Sequence, residues 1–123
     1  MKRDLDLVRK LLLYFEEKAG PEHIQKPPID GYDDSTVQYH LRLMHDAGLL
    51  NCETERSSST PERVIRVIPF DLTWEGQEFL AKVRSEGVWQ RIKSTITAKG
   101  SAFAFGVVND LATKWALAAL KDA

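Results

Sequence analysis

The chain carries one cysteine, Cys52, which leaves no disulfide framework and no multi-cysteine zinc site. It lacks a long apolar run. The longest uncharged stretch, Gly100 to Asn109, covers ten residues, whereas a membrane-spanning helix needs about 20. It lacks a glycine-rich phosphate loop: the seven glycines are scattered, and neither G-x-x-x-x-G-K nor G-x-G-x-x-G occurs. An excess of one charge is missing too, since 17 basic and 18 acidic side chains leave −1 over 123 residues. That balance excludes a strongly basic nucleic-acid coat and an acidic solvating tail. A secretory signal is not expected, because Asp4, Asp6, Arg9 and Lys10 interrupt its apolar core. A soluble cytoplasmic protein with a reduced Cys52 is the expectation.

What is present is ordinary globular chemistry, 43% hydrophobic and 28% charged, in a length suited to one domain. Leu5, Val8, Leu12 and Phe15, with Leu11 beside them, recur at helical spacing. They predict a helix over 4–18 that Gly20-Pro21 ends. Residues 21–32, with Pro27, Pro28 and Gly31, predict a loop with a short extended piece. Asp33 is a plausible N-cap for a short helix over 34–47, in which Val37, Leu41 and Met44 form one stripe and Gly48 is the C′ residue. Leu49–Thr54 and Arg63–Pro69 predict two strands, joined by the polar, flexible loop Glu55 to Glu62. Thr73 caps a further helix, whose face of Phe79, Leu80, Val83, Ile92 and Ile96 runs to about residue 97, with a bend or break at Gly87. Lys99-Gly100-Ser101 is a predicted hinge before a last helix over 104–121.

This order predicts an α+β, mostly helical winged-helix (winged helix-turn-helix) fold with a two-stranded wing and additional C-terminal helices. Residues 1–98 form the predicted winged-helix domain. Residues 99–123 form a C-terminal helix, either in the same compact unit or as a dimerisation element. The usual domain has one more helix before its recognition helix, where Pro27-Pro28 stands here.

The stretch from Asp33 to Leu50, with Ser35-Thr36-Val37, His40-Leu41 and Ala47-Gly48-Leu49-Leu50, resembles the recognition helix of bacterial winged-helix regulators. Leu72-Thr73-Trp74-Glu75-Gly76 is similar to the Leu-Thr-x-x-Gly motif that follows their wing. A resemblance over most of the chain rests on four segments: Met1 to Lys10, Gly31-Tyr32, Tyr39-His40-Leu41 and Leu72 to Gly76. Through them the chain resembles the family called domain of unknown function 2513, of bacteria and of phage or prophage genomes. That resemblance implies a small winged-helix protein with a mobile-element connection, and it brings no catalytic residues.

If Val37, Leu41 and Met44 are buried, the opposite arc of the helix shows Ser35, Gln38, Tyr39, Arg42 and Asp46. Ser, Gln, Tyr and Arg suit groove reading and phosphate contact. Arg56, Arg63 and Arg66 on the wing can reach a DNA backbone or minor groove. Ser35, Gln38, Tyr39, Arg42, Arg56 and Arg63 are therefore the candidate nucleic-acid-binding residues. Charge opposes this: residues 21–55 hold Glu22, Asp30, Asp33, Asp34, Asp46, Glu53 and Glu55 against Lys26 and Arg42, a net −5. Residues 81–100 hold Lys82, Arg84, Arg91, Lys93 and Lys99 against Glu86, a net +4.

The last helix has more apolar residues, Phe103 among them, than one core stripe needs. Phe105, Val108, Leu111 and Trp115 are candidates for a dimer interface, with Val107 and Leu117 on another side. Two functions stay open: a DNA-binding transcriptional regulator, with double-stranded DNA as partner and a homodimer as its state, or a winged-helix adaptor for a protein partner. Neither calls for a membrane, a cofactor or a metal. No enzyme is expected. His40 and His45 are five apart, off the i, i+4 spacing of a two-histidine metal pair, and His23 is isolated in a loop. His40 reads as a hydrogen-bonded residue at the core edge, Cys52 as a small buried hydrophobe and Trp74 as a staple beneath the wing. No nucleophile, base and orienting group come together.

Overall fold

The computed structural model describes residues 2–24, 27–98 and 104–121. Their elements are α1 (Leu5–Glu17), α2 (Asp34–Asp46), β1 (Leu50–Arg56), β2 (Val64–Leu72), α3 (Trp74–Val83), α4 (Glu86–Ala98) and α5 (Phe105–Lys121). The architecture is α+β: five helices and one two-stranded antiparallel sheet among the described residues, in a winged-helix-like arrangement. The chain divides into two compact units, Met1–Gln77 and Glu78–Ala123. The division falls inside α3, where the sequence suggests one near residue 98.

In the first unit, α1 buries Leu7, Val8, Leu11, Leu12 and Phe15, the predicted stripe. Asp4 is not its first residue but its N-cap: Oδ1 accepts from the N–H of Asp6 at 2.9 Å and of Leu7 at 3.3 Å. The following connection holds only turns among its described residues, so the extra helix of the usual domain is absent there. The Ile29 N–H closes on the Pro27 carbonyl, and Gly31 takes φ +86, open to glycine and strained for other residues. The predicted extended piece shows as one bond, from the Ile24 N–H to the Pro69 carbonyl at 3.1 Å.

β1 and β2 pair from Leu50↔Leu72 to Arg56↔Val64, with irregularities after Asn51 and after Glu55. Both strands run past their predicted ends. The loop between them is tied by its own backbone. The Ser57 N–H donates to the Arg63 carbonyl at 2.9 Å, the Arg63 N–H to the Thr60 carbonyl at 2.9 Å, and the Thr60 N–H to Ser57 Oγ at 3.1 Å. Val67 and Pro69 alternate as buried residues of β2, and α1 and α2 both pack on that strand.

In the second unit, the single helix expected through residue 97 is two. Ser85 ends one and starts the next, its Oγ facing the Val88 N–H and its carbonyl accepting the Trp89 N–H at 3.0 Å. A local N-cap thus makes the break two residues before Gly87. Helices α4 and α5 pack together. The Arg91 guanidinium lies 4.6 Å over the Trp115 ring, Phe79 meets Phe105 at 4.8 Å, and Lys82 Nζ donates to Asn109 Oδ1 at 3.0 Å. The hinge at Lys99-Gly100-Ser101 and Phe103 lie outside the described residues. Among the described residues, no helix is long and apolar enough to cross a membrane.

Candidate nucleic-acid interface

Helix α2 is held at both ends and along its inner side. At its start Asp33 accepts the Thr36 N–H at 2.8 Å, and the bonds from Thr36 lower its carboxyl from the ordinary 3.8. On the inner side Val37, His40, Leu41 and Met44 are buried. His40 is fully buried rather than at the core edge: Nδ1 donates to the Thr36 carbonyl at 2.8 Å, and Nε2 accepts the Asp4 N–H at 2.8 Å. At the end Gly48 sits at φ +77; its N–H bonds the His45 carbonyl and the Leu49 N–H bonds the Met44 carbonyl. This is a Schellman cap, and it requires the glycine.

That cap is clamped to the start of α3. The Thr73 N–H donates to the Leu49 carbonyl at 3.1 Å, Thr73 Oγ1 donates to the Gly48 carbonyl, and the Gly76 N–H donates to Thr73 Oγ1 at 3.0 Å. A Cβ on Gly76 would overlap the Leu49 carbonyl oxygen. The Ala-Gly-Leu-Leu and Leu-Thr-x-x-Gly motifs are therefore one structural joint. Trp74 does not enter it. The buried side of α3 runs through Gly76, Phe79, Leu80 and Val83, and Trp74 lies about 200° around from Gly76, 75% exposed. The expected staple beneath the wing is thus not formed.

With the inner face committed, α2 turns Gln38, Tyr39 and Arg42 toward the wing. Gln38, Tyr39, Arg42, Ile65 and Arg66 line one cavity; Arg42, Ser57, Arg63, Val64 and Ile65 line a second, of about 390 Å³. Arg42 and Ile65 belong to both, so the two form one groove between α2 and the wing. Three arginines and no acid line it. Arg66 also pairs with Glu55 at 2.5 Å, which neutralises one carboxylate beside it. The Glu55–Arg66 pair cancels one carboxylate and one arginine together, and Asp33, exposed as the cap of α2, keeps its charge.

Of the six candidate residues, Gln38, Tyr39, Arg42 and Arg63 meet in the groove. Ser35 is exposed in the first turn of α2, outside the lining residues. Arg56 is turned to the loop, where Nη1 donates to the Pro61 carbonyl at 3.2 Å. Ile65, 58% exposed, was missed. It continues the face of Val67 and Pro69 two residues beyond the core; strand periodicity gives that face but not the point where the core ends.

The dimer candidates fare differently. Val108 is fully buried and Trp115 nearly so, while Phe105 is partly covered against Phe79 and Leu111 is half-buried. Phe105 and Trp115 thus meet Phe79 and Arg91 within their own unit. The exposed large apolar residues of α5 are Val107, Leu117 and Leu120. Cys52 is half-buried, and burial pushes its thiol up to about 12.

Fold and groove together define a winged-helix-like protein with a basic cleft between its second helix and its wing. Residues 2–102 match the family described as Hypothetical protein (DUF2513), and the chain belongs to that family. An uncharacterized protein of Haemophilus influenzae is 33% identical over 113 residues, covering 91% of this chain and 92% of the relative. No solved structure matches the chain.

Proposed function

We propose that the protein binds double-stranded DNA through the groove between α2 and the wing, and acts as a cytoplasmic transcriptional regulator without catalytic activity. The mobile-element connection that the resemblance implies would make it a regulator of phage or prophage type. The observation that carries this reading is the convergence of Arg42 on α2 with Arg63 and Arg66 on the wing, around Gln38 and Tyr39. Helix side chains of these types match base edges in a major groove, and wing arginines match phosphates. A labelled random duplex, titrated at about 50 and about 200 mM salt and read by fluorescence anisotropy, tests it. Micromolar binding that weakens steeply with salt is expected. Absence of binding at both salts overturns it.

A second reading, an adaptor for a protein partner, draws on a different observation. Trp74 and, on α5, Leu117 and Leu120 are each more than half exposed. Retention on heparin that salt abolishes favours DNA, whereas a complex that persists in high salt favours the adaptor.

A further inference from the structure

We propose that His40 is a proton-operated latch: a second proton on its ring detaches the start of α1 from α2. The Thr36 carbonyl only accepts, so the Nδ1 that faces it carries the ring proton. The Asp4 N–H only donates, so the Nε2 that faces it is bare. Both bonds exist for one tautomer of the neutral ring and for no other form. A proton on Nε2 sets two donors head to head in a fully buried site.

The charged and titratable groups around the ring do not absorb that proton for free. Ahead of α1 stands Asp4, whose Oδ1 accepts from Asp6 and Leu7 and whose Oδ2 accepts the Tyr32 hydroxyl at 3.1 Å. On α1, Asp6 and Lys10 neighbour Tyr32, the latter with Nζ 5.5 Å from its ring centre. From the turn before α2 come Tyr32 and Asp33, and Asp33 is held by Thr36. Burial, then the Asp4 charge and hydrogen bond, then Asp6, raise the Tyr32 hydroxyl, so it stays a donor to Asp4. From α2 comes Tyr39, its ring edge-on to His40 at 5.5 Å. The Asp4 carboxylate is the acceptor that a cationic ring seeks, and it already caps α1 and holds the Tyr32 hydroxyl. The imidazolium either takes that carboxylate from the α1 cap or leaves the interior. In both cases the first turn of α1 loses its anchor. The latch does not depend on what the groove binds.

The test follows amide protection factors of Asp6, Leu7 and Val8 in the full chain between about pH 8 and about pH 5, the range in which imidazoles ordinarily change charge. Ring nitrogen shifts report the tautomer and charge of His40 in the same samples. Protection at these three amides is expected to fall, by up to about tenfold per pH unit, in step with protonation of His40. In His40→Gln, which keeps one donor and one acceptor and does not titrate, protection should stay level. Unchanged protection while the His40 ring becomes charged overturns the latch. So does a ring that remains neutral throughout, or an equal loss in His40→Gln, which would place the titration in the carboxylates. Should His40→Gln not fold, the correlation between ring charge and amide protection in the unaltered chain decides alone.

Discussion

Asp4 and His40 lie 36 positions apart, and the backbone N–H of the first bonds the ring Nε2 of the second at 2.8 Å. Through this bond the N-cap of α1 rests on the inner side of α2. His40→Ala removes both ring bonds and leaves a cavity, so it is expected to cost about 2–4 kcal/mol in chemical denaturation near neutral pH. His40→Gln should recover part of that loss.

Gly76 and Gly106 make opposite predictions for the same substitution. Gly76→Ala drives a methyl into the Leu49 carbonyl, and about 1–3 kcal/mol of destabilisation is expected. Gly106, within α5, has nothing within 4 Å of an added Cβ. Gly106→Ala should raise stability by about 0.5–1 kcal/mol. Denaturation midpoints of the two variants check both signs.

Asp33 gives the fold an acid dependence of known direction. Its folded carboxyl is lowered by the bonds from Thr36. The contribution is therefore complete above the ordinary carboxyl value of 3.8 and is lost as pH falls through the lowered folded value. Asp33→Asn keeps a capping oxygen without a titrating charge. Its stability should fall less than that of the unaltered chain between about pH 5 and about pH 3.

Cys52 should be a poor nucleophile while the protein is folded. With its thiol pushed up to about 12, almost no thiolate is present near neutrality. A thiol-reactive disulfide reagent should label it more than about a hundredfold faster in denaturant than in buffer. Equal rates would contradict the burial.

Within the DNA reading, Arg42 and Arg63 should differ in kind. Arg42→Ala should weaken binding by about 1–3 kcal/mol and relax discrimination at one base pair. Arg63→Ala should weaken all sequences alike and lower the salt slope by about 1. Titrations of matched and mismatched duplexes at several salt concentrations separate the two.

Much of the first unit is legible in the residues themselves. The stripes Val8–Leu12–Phe15 and Val37–Leu41–Met44 place α1 and α2 to within about a residue, because a 3.6-residue period leaves few alternatives. Gly48 and Thr73 are read as caps from their types, and both are caps. Other features depend on distant partners. The apolar period passes smoothly from Val83 to Ile92, so it hides the break at Ser85. Apolar spacing on α5 names Val108 and Trp115 but does not say whether one unit or two chains bury them. Four groove residues follow from helical geometry and loop position, whereas Ile65 depends on how far β2 outruns the core. The Asp4–His40 bond has no local signal at all.

The joint between Gly48, Leu49, Thr73 and Gly76 is made almost wholly of main-chain atoms, with one hydroxyl as its only side-chain member. Together with the inward residues of α2, it fixes that helix from its inner side and its end. Ser35 and Arg42 are exposed and lie outside this joint and outside the buried face of α2. A substitution at either position therefore changes what the outer face of the helix presents while leaving its mount in place.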